Sequence, residues 1–254
     1  MAKPSTGPNF LSLPTELRMH IAAEALEQHP LSGFHMVDAA PENGSRYILD
    51  TRYRPSANLS IRLVCRQFNI DFTRLAIQKT RFVLQKDAGS TVSTQSETIL
   101  RDVKRLVVHY GPDTIAEWRE FPFNKECLQL DELDMFMPLA EAPEYSELVG
   151  MFRRLRNVQR IRFLLCGDEQ QARLRCCWLI GVMLKEDHYQ RYDAPNAPNL
   201  ESSWWSWSWS FNDNYSWVTF VAQEPKPVMV EEEYMMLVKP KLDEIMEATA
   251  GALG

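Results

Sequence analysis

LRDVKRL, residues 100–106, returns at 155–161 as LRNVQRI, matching position by position as L-R-(D/N)-V-(K/Q)-R-(L/I). A shorter echo, RFVL, stands at 81–84. In each copy an arginine precedes apolar residues two apart: Phe82 and Leu84, Leu106 and Val108, Ile161 and Phe163. Period two marks a strand, whose successive side chains point to opposite faces. The arginines at 81, 105 and 160 stand 24 and then 55 residues apart, too uneven for a regular solenoid but wide enough for a helix or long loop between strands. Parallel pairing follows, because strands running the same way need such crossovers.

Helical patterns fill several gaps. Tyr145, Leu148, Val149, Phe152 and Leu155 form a stripe that begins after Pro143 and runs into the third strand. Asp168 can cap a further helix in which Leu174, Cys177, Trp178 and Gly181 share a face, and the apolar run 176–184 predicts burial on more than one side. EEEYMMLV and PKLDEIMEA give short helices separated at Pro240. The segment SSWWSWSWSFNDNYSWVTFVA, 202–222, follows the linker DAPNAPN and reads as a hairpin turning at NDN. On its first strand Trp205, Trp207, Trp209 and Phe211 share one face, suited to packing under helices. The fold class is α/β or α+β, with residues 81–254 an irregular leucine-rich-like sheet with helices and a Trp-rich terminal hairpin.

Ahead of that sheet, residues 1–9 carry prolines and a glycine without an apolar cluster and read as a disordered tail. Residues 10–80 form a separate module. In FLSLPTELRMHI, 10–21, Ser12 can cap a helix whose first turn accepts Pro14, with Leu17, Ile21 and Ala25 as a stripe beside Ala22 and Leu26. FHMV and RYIL flank an Asn43-Gly44 turn and predict a hairpin insert over 31–55. Ile61, Val64, Phe68, Phe72 and Leu75 predict a second helix from Leu59 to about Lys79.

The net charge of −6 argues against a general binder of nucleic acid or anionic membrane. The five cysteines are odd in number and form no CxxC, so they read as buried thiols without a disulfide framework or a zinc site. With neither an apolar leader nor a run able to span a bilayer, a cytoplasmic or nuclear protein is the expectation. No phosphate loop, HExxH or GxSxG is present, and no catalytic residue, metal or cofactor is assigned. A hydrolase would need Cys127, Cys166 or an acid pair to meet a histidine; His109 stands alone. Charge comes in runs: ten acids lie in 112–147, and seven bases lie in 52–81. Such patches are solvated faces, steer a partner, or dock segments of the chain on each other. Arg160 and Arg162 share a strand face and, with Trp205, Trp207 and Trp209, are the candidate ligand, RNA or substrate surface.

The opening stretch, followed by LSIRLVCRQFN at 59–69, resembles the start of fungal F-box and F-box-like proteins. The residues that carry the resemblance are Leu13, Pro14, Glu16, Leu17, Arg18 and Ile21, then Leu63, Val64, Cys65, Arg66 and Gln67, over about 10–84. It implies a helical bundle whose apolar surface, through Leu13, Pro14, Leu17, Ile21, Leu63 and Val64, docks the Skp1-like adaptor of a cullin ubiquitin ligase. It also implies a C-terminal part that recruits a protein substrate. Where that family has a short link between its first helices, this chain inserts 31–55, a candidate cover for the docking surface. Two roles stay open for the first helix: closing a core in a stand-alone ligand- or RNA-binding protein, or docking an adaptor.

Overall fold

The computed structural model describes residues 9–38, 45–84, 89–111, 116–137, 145–165, 169–197, 207–211, 217–224 and 229–253. The expectations for residues 1–8, Asn43-Gly44, Cys166, Asp168, Trp205 and the NDN turn lie outside them. The chain runs α1 (Thr15–Ala25), β1 (Phe34–Asp38), β2 (Ser45–Leu49), α2 (Ser56–Leu59) and α3 (Arg66–Lys79). It continues through β3 (Arg81–Leu84), α4 (Gly89–Ser93), α5 (Glu97–Asp102), β4 (Arg105–His109), β5 (Leu130–Met137), α6 (Tyr145–Arg154) and β6 (Val158–Leu165). It ends with α7 (Glu169–His188), β7 (Trp207–Phe211), β8 (Trp217–Ala222) and α8 (Glu231–Leu253). The protein is mixed α/β.

The arginine-led echoes become strands, and they align. The six-stranded sheet has the order β3-β4-β5-β6-β8-β7, parallel across the first four and antiparallel at the terminal hairpin. Arg81 lies opposite Arg105, Arg105 opposite Glu132, and Glu132 opposite Arg160, so the three echo arginines share one row. Leu100 and Leu155, the first residues of the two long copies, are both buried, as are Val103 and Val158. The repeat is therefore one of structure, a buried turn leading into a parallel strand.

The sequence reading leaves out β5, which inserts between the echo strands. LDELDMFM places Leu133, Met135 and Met137 two apart, but Asp131, Glu132 and Asp134 interrupt them. Those acids share the sheet with the neighbouring arginines, so charge and strand are compatible here.

The two faces of the sheet differ. One carries Leu106, Val108, Leu133, Met135, Ile161, Phe163, Val218 and Phe220, packed in the main core under α5, α6, α7 and α8. The other carries the arginine row, and above it Phe136 and Leu164, which the insert covers with Leu31, Phe34 and Leu49. Gly33 is needed at that approach: its φ is +93°, and a Cβ there would lie 2.6 Å from Val83 Cγ2. The Arg81 amide donates to Gln28 Oε1 (2.7 Å), Tyr53 Oη donates to the Arg81 carbonyl (2.9 Å) and Arg162 Nη2 donates to the Pro30 carbonyl (2.6 Å).

Three local expectations are corrected. Ser12 caps no helix; its hydroxyl donates to the Asn9 carbonyl in a 3₁₀ turn over Phe10–Ser12, and Pro14 itself is the N-cap of α1. The second helix is broken: α2 and a 3₁₀ turn over Ser60–Leu63 precede Cys65, whose extended backbone restarts the chain as α3. Pro240 does not divide α8. The missing amide is on the exposed side, while Tyr234, Val238 and Ile245 run as one buried stripe through the proline and hold the helix together by packing.

Candidate interaction surface

Helix α1 turns an unusual face inward. Its buried residues are Arg18 and Ala22, continued by Leu26 just past its end, whereas the parallel series Leu17, Ile21 and Ala25 faces solvent. Leu17 is 51% exposed and Ile21 45%. Amphipathic helices normally bury the apolar series and expose the charge. Here Arg18 reaches Asp71 of α3 at 2.9 Å and donates to the Leu11 carbonyl and Thr15 Oγ1, so its charge is met inside the module. A small core of Ala22, Leu26, Phe72 and Ala76 closes the module, with Phe68 edge-on to Phe72 and Phe10 tilted against both rings.

The other residues of the expected docking surface lie as follows. Leu13 is half-buried and Pro14 exposed. Leu63 is 84% exposed and Val64 64%, at the break before α3. The insert packs instead on Phe136 and Leu164 of the sheet, and Leu17, Ile21, Leu63 and Val64 stay open to solvent.

The arginines of the expected ligand surface are engaged within the protein. Asp134, 1% exposed, sits between Arg81 Nη1 and Arg162, which donates from Nε and Nη2 at 2.8 Å each. Glu132 joins Arg81 Nη2 (2.8 Å) to the half-exposed Arg160 (2.9 Å). Burial pushes the Arg81 guanidinium below its ordinary pKa, opposed chiefly by the charge of Asp134. Arg162 also lies over the Trp217 ring at 5.5 Å. The basic and acidic runs thus dock the chain's own segments, and Arg160 and Arg162 form no open cationic stripe. At the rim, Glu27 meets Lys79 (2.5 Å) and Arg105 (2.6 Å). Partial burial works to raise its pKa, but the hydrogen bonds from Lys79 and Arg105 outweigh it and hold the carboxyl below its usual value.

Trp207 is buried edge-on to Phe152 at 5.5 Å, and Trp209 carries the Lys241 ammonium over its ring at 4.2 Å. Trp207 therefore lies against α6, and Trp209 against α8.

Sequence reading missed a groove between α7 and α8. It has a volume of about 720 Å³ and is lined by Gly181, Val182, Lys185, Met235 and Leu242. Trp178, expected on a packed face of α7, is 56% exposed on the continuation of this groove, beside Met246. The signal was available: on α8, Met235, Met236 and Met246 fall off the buried stripe. At one end, buried Asp187 accepts from Arg191 Nε (2.8 Å) and Tyr234 Oη (3.1 Å). Burial, with Asp187 adding to it, pushes the Tyr234 phenol far above its ordinary pKa. His188 stands between Asp193 (3.3 Å) and Glu231 (3.0 Å).

Burial also pushes the Cys176 and Cys177 thiols up, which keeps them protonated and poor nucleophiles. Cys127 is buried. Among the described residues no group of three or more His, Cys, Asp or Glu is placed to hold a metal, and no helix is long and apolar enough to cross a membrane. No known family model matches the chain, and neither does any curated protein or solved structure.

Proposed function

We propose that the chain is a non-enzymatic interaction protein of F-box-like type: the face of α1 with residues 63–64 docks a Skp1-like adaptor, and the α/β part presents a protein substrate to the ligase. The observation that carries this reading is the inversion of α1. The helix buries Arg18 against Asp71 and leaves about half of Leu17 and of Ile21 in water, apolar surface that this chain does not use. Covering the exposed half of each would contribute about 0.7–1.5 kcal/mol. Contiguous apolar side chains left exposed are a mark of interaction sites.

The second surface that a receptor needs is offered by the α7–α8 groove, whose methionines adapt to varied partners. The alternative, a stand-alone RNA-binding protein, has less support, since Arg160 and Arg162 already face carboxylates. The test is binding of purified Skp1 to the full chain by interferometry, repeated with Leu17→Asp and Ile21→Asp. Micromolar affinity, weakened tenfold or more by each variant at unchanged circular dichroism, is the expected result. No binding by the wild type at micromolar concentrations removes the adaptor role.

A further inference from the structure

Where the helical module meets the edge strand β3, the two parts do not close on each other. A cleft of about 290 Å³ remains, walled by Leu59, Ile77, Phe82, Leu84, Val92 and Ile99. Its size is near the lower end of small-molecule sites, ~300–1,000 Å³, and its lining is almost wholly apolar, as such sites are. The polar groups on it are few: Arg62, Thr91 and Gln95.

Arg62 differs from the buried and half-buried arginines around it, although among the described residues exposed Arg54 and Arg66 also form no ion pair. Arg18, Arg81, Arg105 and Arg162 are each turned to a carboxylate. Half-buried Arg62 donates only its Nε, to the Leu59 carbonyl at 3.2 Å, and among the described residues its guanidinium forms no ion pair. A guanidinium always carries its charge and offers five donors in a fork that matches a carboxylate. The site therefore combines one positive charge, unpaired among the described residues, with a largely apolar cavity.

We propose that this cleft binds a lipophilic monocarboxylate of the medium-chain fatty acid class, its carboxylate on Arg62 and its chain against Leu59, Phe82, Leu84 and Val92. One cation matches a single negative charge; a phosphate ester carries more charge, and Arg62 is the one cation on the described lining. Bound there, the ligand touches α3 and β3 at once and fastens the module to the sheet. Arg62 directly precedes residues 63–64 of the proposed adaptor surface, but the cleft lining shares no residue with that surface, so the site stands whether or not Skp1 binds.

The test uses the full chain with decanoate, decanol and decylamine as probes, read by calorimetry and by the shift in Tm. Decanoate is expected to bind below 1 mM, roughly the millimolar boundary of weak affinity, and to raise Tm. Decanol should bind at least tenfold more weakly, and decylamine not at all. Arg62→Gln should lose tenfold or more in decanoate affinity while Arg62→Lys keeps most of it. The wild-type comparison of the three probes needs no variant, so a folding defect cannot obscure it. Failure of decanoate to bind, or equal binding of decanol, overturns the proposal, as does undiminished binding by folded Arg62→Gln.

Discussion

Replacing Asp134 by asparagine tests whether the charged face of the sheet is a load shared between strands. The carboxylate is 1% exposed and takes hydrogen bonds from Arg81, 2% exposed, and from Arg162, 9% exposed. The amide keeps the shape, removes the charge, and turns an NH₂ toward one of two guanidinium groups. Glu132 still serves Arg81 at 2.8 Å, but among the described residues Arg162 keeps the Pro30 carbonyl and the face of Trp217 and no carboxylate. Breaking a buried pair from one side costs about 3–5 kcal/mol, because a desolvated charge is left behind. Against a total stability of about 5–15 kcal/mol, that is a large share. At roughly 2–4 °C per kcal/mol for a chain of this size, Tm should fall on the order of 6–20 °C. Urea unfolding measures it: the midpoint drops with the slope unchanged. Arg160→Ala, which removes a half-exposed partner, should cost under about 1 kcal/mol. The apolar triple change Arg81→Met, Asp134→Leu, Arg162→Met should recover most of the loss, since it leaves no unpaired charge. If Asp134→Asn proves no worse than Arg160→Ala, the buried network contributes nothing of the kind argued.

Glu27→Gln probes the rim. Because the folded carboxyl has its pKa lowered, its contribution is present above the ordinary value of 4.5 and is lost as pH falls through the lower folded value. The variant should be less stable near neutrality by under about 1 kcal/mol, given its exposure. Its deficit should close in acid, and a deficit constant over a urea-midpoint series contradicts the assignment. Native alkylation followed by mass spectrometry should modify partly exposed Cys65 first and leave Cys176 unmodified until urea unfolds the chain. Gly181→Ala should stabilise by about 0.5–1 kcal/mol, as expected for a mid-helix glycine. Nothing lies within 4 Å of the added Cβ, so a fall in Tm would show that the groove floor is not open.

The strands at 81, 105 and 160 were legible because period two survives in a short window, and so was the terminal hairpin. Strand β5 was not. Its acids look like surface charge until the arginines of β3 and β6 are set opposite them, and no window of sequence contains that pairing. For α1 the i, i+4 spacing was plain, but Arg18-Ala22-Leu26 and Leu17-Ile21-Ala25 are adjacent series with the same period. Which one faces inward depends on Asp71, a residue of another helix. The Arg62 cleft was invisible for the same reason, its walls coming from α2, α3, β3, α4 and α5.

The insert over 31–55 ends as a brace. Gly33 lets it lie against Val83, Phe34 and Leu49 pack on Phe136 and Leu164, and Pro30 is tied to Arg162. A short flexible link would let the helical module swivel; this clamp removes that freedom. A partner gripping Leu17 and Ile21 would hold the sheet in one orientation too, fixing the direction in which the α7–α8 groove points.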